Sequence, residues 1–120
     1  MRLLIVMFLG LLVCGAHVAA RGTGDAAKGK LAYADRKCAM CHKTDKDATG
    51  GKMSILASTV GKLSAGELKS WLTDTAAMEA KLPKKPPVQM SGFMKGLKPP
   101  MGDAEVANLV GYLQTLPAKP

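Results

Sequence analysis

The feature that most constrains this 120-residue chain is the pentapeptide Cys38-Ala39-Met40-Cys41-His42. Two thiols separated by two residues can add to the two vinyl groups of a haem, and a histidine directly after the second thiol can ligate the haem iron. A chain that carries a haem in this way must fold around a large apolar group. The motif therefore predicts haem attachment through Cys38 and Cys41, with His42 as an iron ligand.

The first twenty residues predict export. Arg2 precedes an apolar run from Leu3 to Val13, and Val18-Ala19-Ala20 places small residues before Arg21. The run is shorter than the ~20 apolar residues of a membrane-spanning helix, and a retained N-terminal anchor is the alternative. We expect residues 1–20 to be a signal peptide cleaved near Ala20 and residues 21–120 to form one domain. The mature protein is then expected to be periplasmic, without stable insertion in a membrane.

Two other uses of closely spaced cysteines fit this sequence less well. A zinc site needs four ligands, and beside Cys38 and Cys41 the mature chain offers only His42, which is too close to supply the usual second pair. A thioredoxin-like dithiol is expected in a βαβ setting, and the sequence has no such pattern. Haem attachment remains the best interpretation of the motif.

The charge and composition of the mature chain narrow its partners. Without Arg2, 16 of the 17 basic residues remain against 9 acidic ones, a net charge of +7. Such a surplus speeds encounter with acidic partners at low salt, although it also serves solubility. Few aromatic residues, and no basic run with interleaved aromatics, disfavour binding to nucleic acid. A mature chain of one hundred residues has a small core, which a buried cofactor would enlarge.

Helical patterns cover most of the mature chain, and no segment alternates like a strand, so the sequence predicts an all-α fold. Val88 to Met101 contains three methionines, two glycines and two prolines, and we expect it to be irregular. The predicted helices are Gly24 to Ala34 with Asp25 as N-cap, a second helix opened by a Ser64 to Glu67 capping box, a short one over Thr75 to Leu82, and a last one capped by Asp103 with an apolar face of Val106, Leu109, Val110 and Leu113.

With this motif and these helices, the chain resembles the class I (monohaem) c-type cytochromes of bacteria. The resemblance covers nearly all of residues 21–120 and implies about four helices around one covalently attached haem c. In that family a glycine and an aromatic residue of the first helix interlock with a leucine and an aromatic residue of the last helix. Here Gly29 and Tyr33 are four apart, and Leu109 and Tyr112 are three apart, which matches the pattern.

The resemblance also implies a methionine as the second axial ligand of the iron. Met90-Ser91-Gly92-Phe93 is similar to a Met-Pro-Ala-Phe segment of bacterial members, so Met90 is the predicted ligand, and Met101 is the alternative. The family often has a proline soon after the histidine, but none occurs between His42 and Pro83. We expect a backbone carbonyl of the loop after His42 to accept the ring N–H instead.

These observations predict a monomeric electron carrier, not an enzyme. It is expected to exchange electrons with redox partner proteins that have acidic docking surfaces. The alternative is a haem enzyme or a gas or redox sensor with an open distal site. The one other histidine, His17, lies in the predicted signal peptide and cannot serve such a site. A copper carrier that uses Met90, Met94 and Met101 would leave the cysteine motif unexplained.

Overall fold

The computed structural model describes residues 24–44, 60 and 62–116, which form helices joined by turns and irregular segments, with no strand among them. This confirms the predicted all-α fold, and the described residues contain five α-helices where about four were expected. The predicted signal peptide and residues 45–59 of the loop after His42 lie outside the described residues. The elements are α1 (Ala26–Asp35), a 3-10 turn (Cys38–Met40), α2 (Ala65–Thr73), α3 (Thr75–Ala80), α4 (Met90–Gly96) and α5 (Asp103–Leu113).

Helices α1 and α5 cross in direct contact, as the resemblance to the c-type cytochromes implied. A Cβ atom on Gly29 would lie 1.9 Å from the carbonyl oxygen of Asn108, so no larger residue fits between the two backbones. The rings of Tyr33 and Tyr112 meet beside the crossing with centroids 5.5 Å apart. At the start of α1, the backbone N–H of Asp25 donates to Asn108 Oδ1 at 2.8 Å.

Two of the three predicted helix caps are confirmed. The carboxylate of Asp25 accepts from the first turn of α1, and Ser64 and Glu67 form the full capping box of α2. The third prediction was wrong, because the N-cap of α5 is Gly102, and Asp103 is the first helical residue. Asp103 still lies in the first turn, where a negative charge interacts favourably with the helix dipole.

Residues 90–96, expected to be irregular, form helix α4. The start of this helix is stabilised from a distance, because Glu79 of α3 accepts from the backbone N–H of Ser91 at 3.1 Å and from its hydroxyl at 2.5 Å. These bonds satisfy donors that a helix start otherwise leaves free. The hydroxyl of Ser91 in particular lowers the pKa of Glu79, so this buried side chain stays ionised.

The apolar core lies between α1, α2 and α5. Among the partly buried residues that pack against it are Cys38 and Met101, from the cysteine motif and from the segment before α5. None of the helices in the described part of the chain has the length and apolar character needed to cross a membrane. The cluster of buried residues at its centre consists of Tyr33, Val60, Leu68, Leu109, Val110 and Leu113.

Candidate haem-binding site

Cys38 to His42 form a single helical turn. The backbone N–H of His42 donates to the carbonyl of Cys38 at 2.9 Å, and that of Cys41 donates to the same oxygen at 3.2 Å. This turn therefore keeps the two thiols and the imidazole within one short piece of backbone. Both cysteines are free, with Cys41 exposed and Cys38 half-buried. Burial raises the pKa of the Cys38 thiol and keeps it neutral.

The connection from α1 into this turn is sharp. Lys37 has a φ of 59°, a left-handed conformation that residues other than glycine rarely adopt. The bend is closed on both sides, because Lys37 N–H donates to the carbonyl of Ala34 and Met40 N–H donates to that of Lys37, each at 3.0 Å. The end of α1 and the bend at Lys37 therefore determine the direction of the backbone that carries the cysteines.

Tyr33 of α1 stabilises the end of the Cys38 to His42 turn through a hydrogen bond. Its hydroxyl donates to the carbonyl oxygen of His42 at 2.8 Å, and its ring is buried in the core. Burial is the main cause that raises the pKa of the phenol, which keeps its proton available for this bond. Sequence analysis assigned Tyr33 to helix packing alone. Nothing in a local pattern indicates that the same side chain fixes the backbone of a predicted iron ligand nine residues later.

Replacement of Tyr33 by phenylalanine keeps the ring and removes this bond. We expect the free energy of unfolding to fall by about 1 kcal/mol, because one partly buried carbonyl loses its donor. Chemical denaturation of the holoprotein measures the loss. Tyr112→Phe is the matched control, since no hydrogen bond from the Tyr112 hydroxyl is seen among the described residues, and it should change stability much less. Equal losses in the two variants would contradict a supporting role for Tyr33.

The imidazole of His42 is partly buried. Burial lowers its pKa, which favours the neutral ring whose nitrogen lone pair can bind a metal. Its Nδ1 atom is buried and has no hydrogen-bond partner among the described residues, so the expected carbonyl acceptor is not found within them. A buried polar atom without a partner is unfavourable, and such atoms mark sites completed by another group.

A cavity of about 330 Å³ opens beside the core, between α2 and α3 on one side and α4 with the following segment on the other. Met101 lines it, whereas Met90 is not among its lining residues and lies half-buried at the first position of α4. Met94, one helical turn after Met90, lines the cavity too. Met94 is not among the predicted iron ligands, although the sequence places it four residues after Met90. The lining includes Leu72, Thr75, Met94, Leu97, Met101 and Val106.

Comparison with known proteins decides the family. The family model for cytochrome c matches residues 26–117. The chain belongs to the cytochrome c family. Proteins of this family carry electrons by means of a covalently attached haem c, so this cytochrome c is a haem-containing electron carrier. No curated protein and no solved structure matched the chain.

The residues of this cytochrome c fit its haem. One turn presents two free thiols and a neutral imidazole, which are the groups that thioether attachment and proximal ligation need. The orphaned Nδ1 of His42 and the contact of Cys38 with the apolar core place that turn at the edge of a hydrophobic environment. No other group of the described residues combines these features.

Proposed function

We propose that this cytochrome c is an exported, periplasmic one-electron carrier, with one haem c attached through Cys38 and Cys41 and ligated by His42 and a methionine. The observation that carries the proposal is the single turn that holds both free cysteines and His42, whose burial favours the neutral imidazole. When bound, the haem supplies an iron that alternates between ferrous and ferric. Export is supported by the composition of residues 1–20.

The chain's own residues orient the ligand and exclude water. Tyr33 of α1 donates a hydrogen bond to the backbone carbonyl of His42, and this bond fixes the backbone from which the imidazole extends. The core between α1, α2 and α5 packs against Cys38, so a haem attached there would adjoin apolar side chains, which influence its reduction potential. If His42 and a methionine both ligated the iron, no site on it would remain for a substrate, which would suit a carrier better than an enzyme.

Met90 is the methionine that we propose as the second axial ligand, on the strength of its place in the Met90-Ser91-Gly92-Phe93 segment. The structure supports it through Glu79, because the bonds from Ser91 to this carboxylate fix the first turn of α4, where Met90 begins the helix. The backbone is thus held while the unbranched side chain stays adaptable. Met101 is the competitor, supported by its position on the cavity wall.

Methionine variants of the holoprotein separate these candidates. The ferric wild type is expected to be low-spin, with a sulfur-to-iron charge-transfer band that is lost in Met90→Ala and retained in Met101→Ala. Met78→Ala on α3 is the matched control and should keep the band. Loss of the band in Met101→Ala alone would assign that residue and overturn Met90. A high-spin wild type that readily binds carbon monoxide would support the enzyme or sensor with an open distal site.

We further propose that the partners carry acidic docking surfaces. The lysines in the described residues are mostly exposed and are scattered over several elements, among them Lys28, Lys30, Lys81, Lys84, Lys85, Lys95 and Lys98. Exposed charges are screened over about 8 Å at physiological ionic strength, so their attraction should weaken as salt is added.

Electron transfer to small inorganic oxidants tests this charge effect without a known partner. The rate with an anionic oxidant is expected to fall several-fold between about 10 mM and 1 M salt, because the Debye length shrinks from about 30 Å to 3 Å. A cationic oxidant is the control and should react faster as salt rises. A flat profile with both oxidants would exclude steering by the lysines.

A further inference from the structure

Arg36, the C-cap of α1, makes three hydrogen bonds to two separate parts of the chain. Its Nε and Nη2 atoms donate to the two carboxylate oxygens of Glu105 at 2.6 and 2.7 Å. Its Nη1 atom donates to the carbonyl oxygen of Pro99 at 2.7 Å. The two side chains of the ion pair are only 17% and 25% exposed. Because the guanidinium group is planar, its two bonds to Glu105 fix the plane of the group. The Nη1 atom is thereby oriented toward Pro99.

The recipient of that third bond is otherwise weakly connected. We call Leu97 to Gly102 the 97–102 segment. Pro99 and Pro100 have no N–H group and cannot donate a backbone hydrogen bond. Between described residues, the bond from Arg36 is the one hydrogen bond that joins this segment to an element other than its flanking helices α4 and α5.

The 97–102 segment is also a wall of the cavity. Leu97, Pro100 and Met101 line it, and Met101 in addition packs against the core that Cys38 borders. Arg36 stands only two residues before Cys38, so one backbone turn carries both the attachment motif and the residue that holds this wall. The carboxylate of Glu105 stays ionised for its part, because the hydrogen bonds from Arg36 lower its pKa.

We propose that Arg36 is a positioning residue that holds the 97–102 segment against the haem, with Glu105 orienting the guanidinium, and thereby limits access of outside ligands to the iron. The inference rests on the proposed function, since it needs the haem at Cys38 to His42. It does not depend on which methionine is the axial ligand, because the bond from Arg36 to Pro99 is present in either case. A lysine at this position could reach Glu105 or Pro99 but has no fork to satisfy both.

The test compares ferric holoprotein variants by the rate at which imidazole binds the iron. Arg36→Gln is expected to bind it about tenfold faster than wild type or more, because a charge-assisted hydrogen bond that closes the wall is lost. Glu105→Gln keeps Arg36 and leaves an amide oxygen that can still accept from the guanidinium, so the bond to Pro99 should persist and the rate should change less than about threefold. Lys98→Gln removes a neighbouring exposed cation and is the matched control, with no change expected.

Amide hydrogen exchange at Met101 and Gly102 is the second measurement, and it does not require iron ligation. Exchange should be faster in Arg36→Gln than in Lys98→Gln, and Arg36→Lys, which keeps the charge if the glutamine variant fails to fold, should lie between them. Unchanged imidazole binding and unchanged exchange in both Arg36 variants would overturn the inference. Equal effects in Glu105→Gln and Arg36→Gln would overturn it too, because the ion pair between α1 and α5 would then suffice. Wild-type protein without covalent haem would instead refute the proposed function.

Discussion

Replacement of Gly29 by alanine is expected to lower the free energy of unfolding of the holoprotein by about 3 kcal/mol or more, because it overpacks two backbones rather than two side chains. The added methyl would lie 1.9 Å from the carbonyl oxygen and 2.6 Å from the carbonyl carbon of Asn108. Neither atom can rotate away, so α1 and α5 must separate. Their separation weakens the contact between Tyr33 and Tyr112 and the bond from Asp25 to Asn108.

Gly66→Ala in α2 is the control for this substitution. Outside the backbone of the helix itself, a Cβ atom there would come no closer than 4.0 Å to the hydroxyl of Ser64, so the new methyl meets no obstacle. Alanine is preferred to glycine inside a helix by roughly 0.5–1 kcal/mol, and we expect no loss of stability. Denaturant unfolding measures the difference in the free energy of unfolding between the two variants, provided that their m-values are equal. If Gly29→Ala were as stable as Gly66→Ala, the close crossing of α1 and α5 would be wrong.

Replacement of both cysteines, Cys38→Ser and Cys41→Ser, is expected to remove the covalent haem and most of the stability with it. Small domains have marginal stabilities of about 5–15 kcal/mol, and the described residues of this one include only seven buried apolar side chains. Cys38 also packs against the core, where a serine hydroxyl is unfavourable. We expect the double variant to show no cooperative unfolding transition by circular dichroism, and any haem it binds to be extractable.

Met40→Ser is the matched control for the double cysteine variant, because it introduces the same side chain into the same turn. Met40 is 71% exposed and takes no part in the proposed attachment, so this variant should retain its haem and fold. A double variant that unfolds as cooperatively as Met40→Ser would show that the core does not need the haem.

Features built from near neighbours could be predicted from the sequence. The capping box of Ser64 and Glu67 and the cap of α1 by Asp25 involve residues that lie two or three apart, where the geometry of a helix start fixes their relation. Such patterns depend on the local backbone and not on the rest of the fold. For this reason the structure confirms them.

Features built from distant residues could not be predicted. Helix α4 was missed because its stabilising acceptor is Glu79, twelve residues before Ser91, and not a local cap. The bond from Arg36 to Pro99 joins residues 63 apart, and no periodicity indicates it. The methionine ligand belongs to the same class, since a flexible thioether reaches its position through tertiary packing, and Met90 stays a prediction.

Covalent attachment of haem to the wild-type chain tests the central claim most directly. The full chain is produced in a bacterial host that has a c-type haem attachment machinery, then denatured, separated from small molecules and stained for haem. If haem is attached through Cys38 and Cys41, we expect it to stay with the polypeptide after denaturation. We expect it to be lost from the Cys38→Ser, Cys41→Ser chain. Haem that extracts into acidified solvent from the wild type, or a folded wild-type chain that carries none, would contradict it.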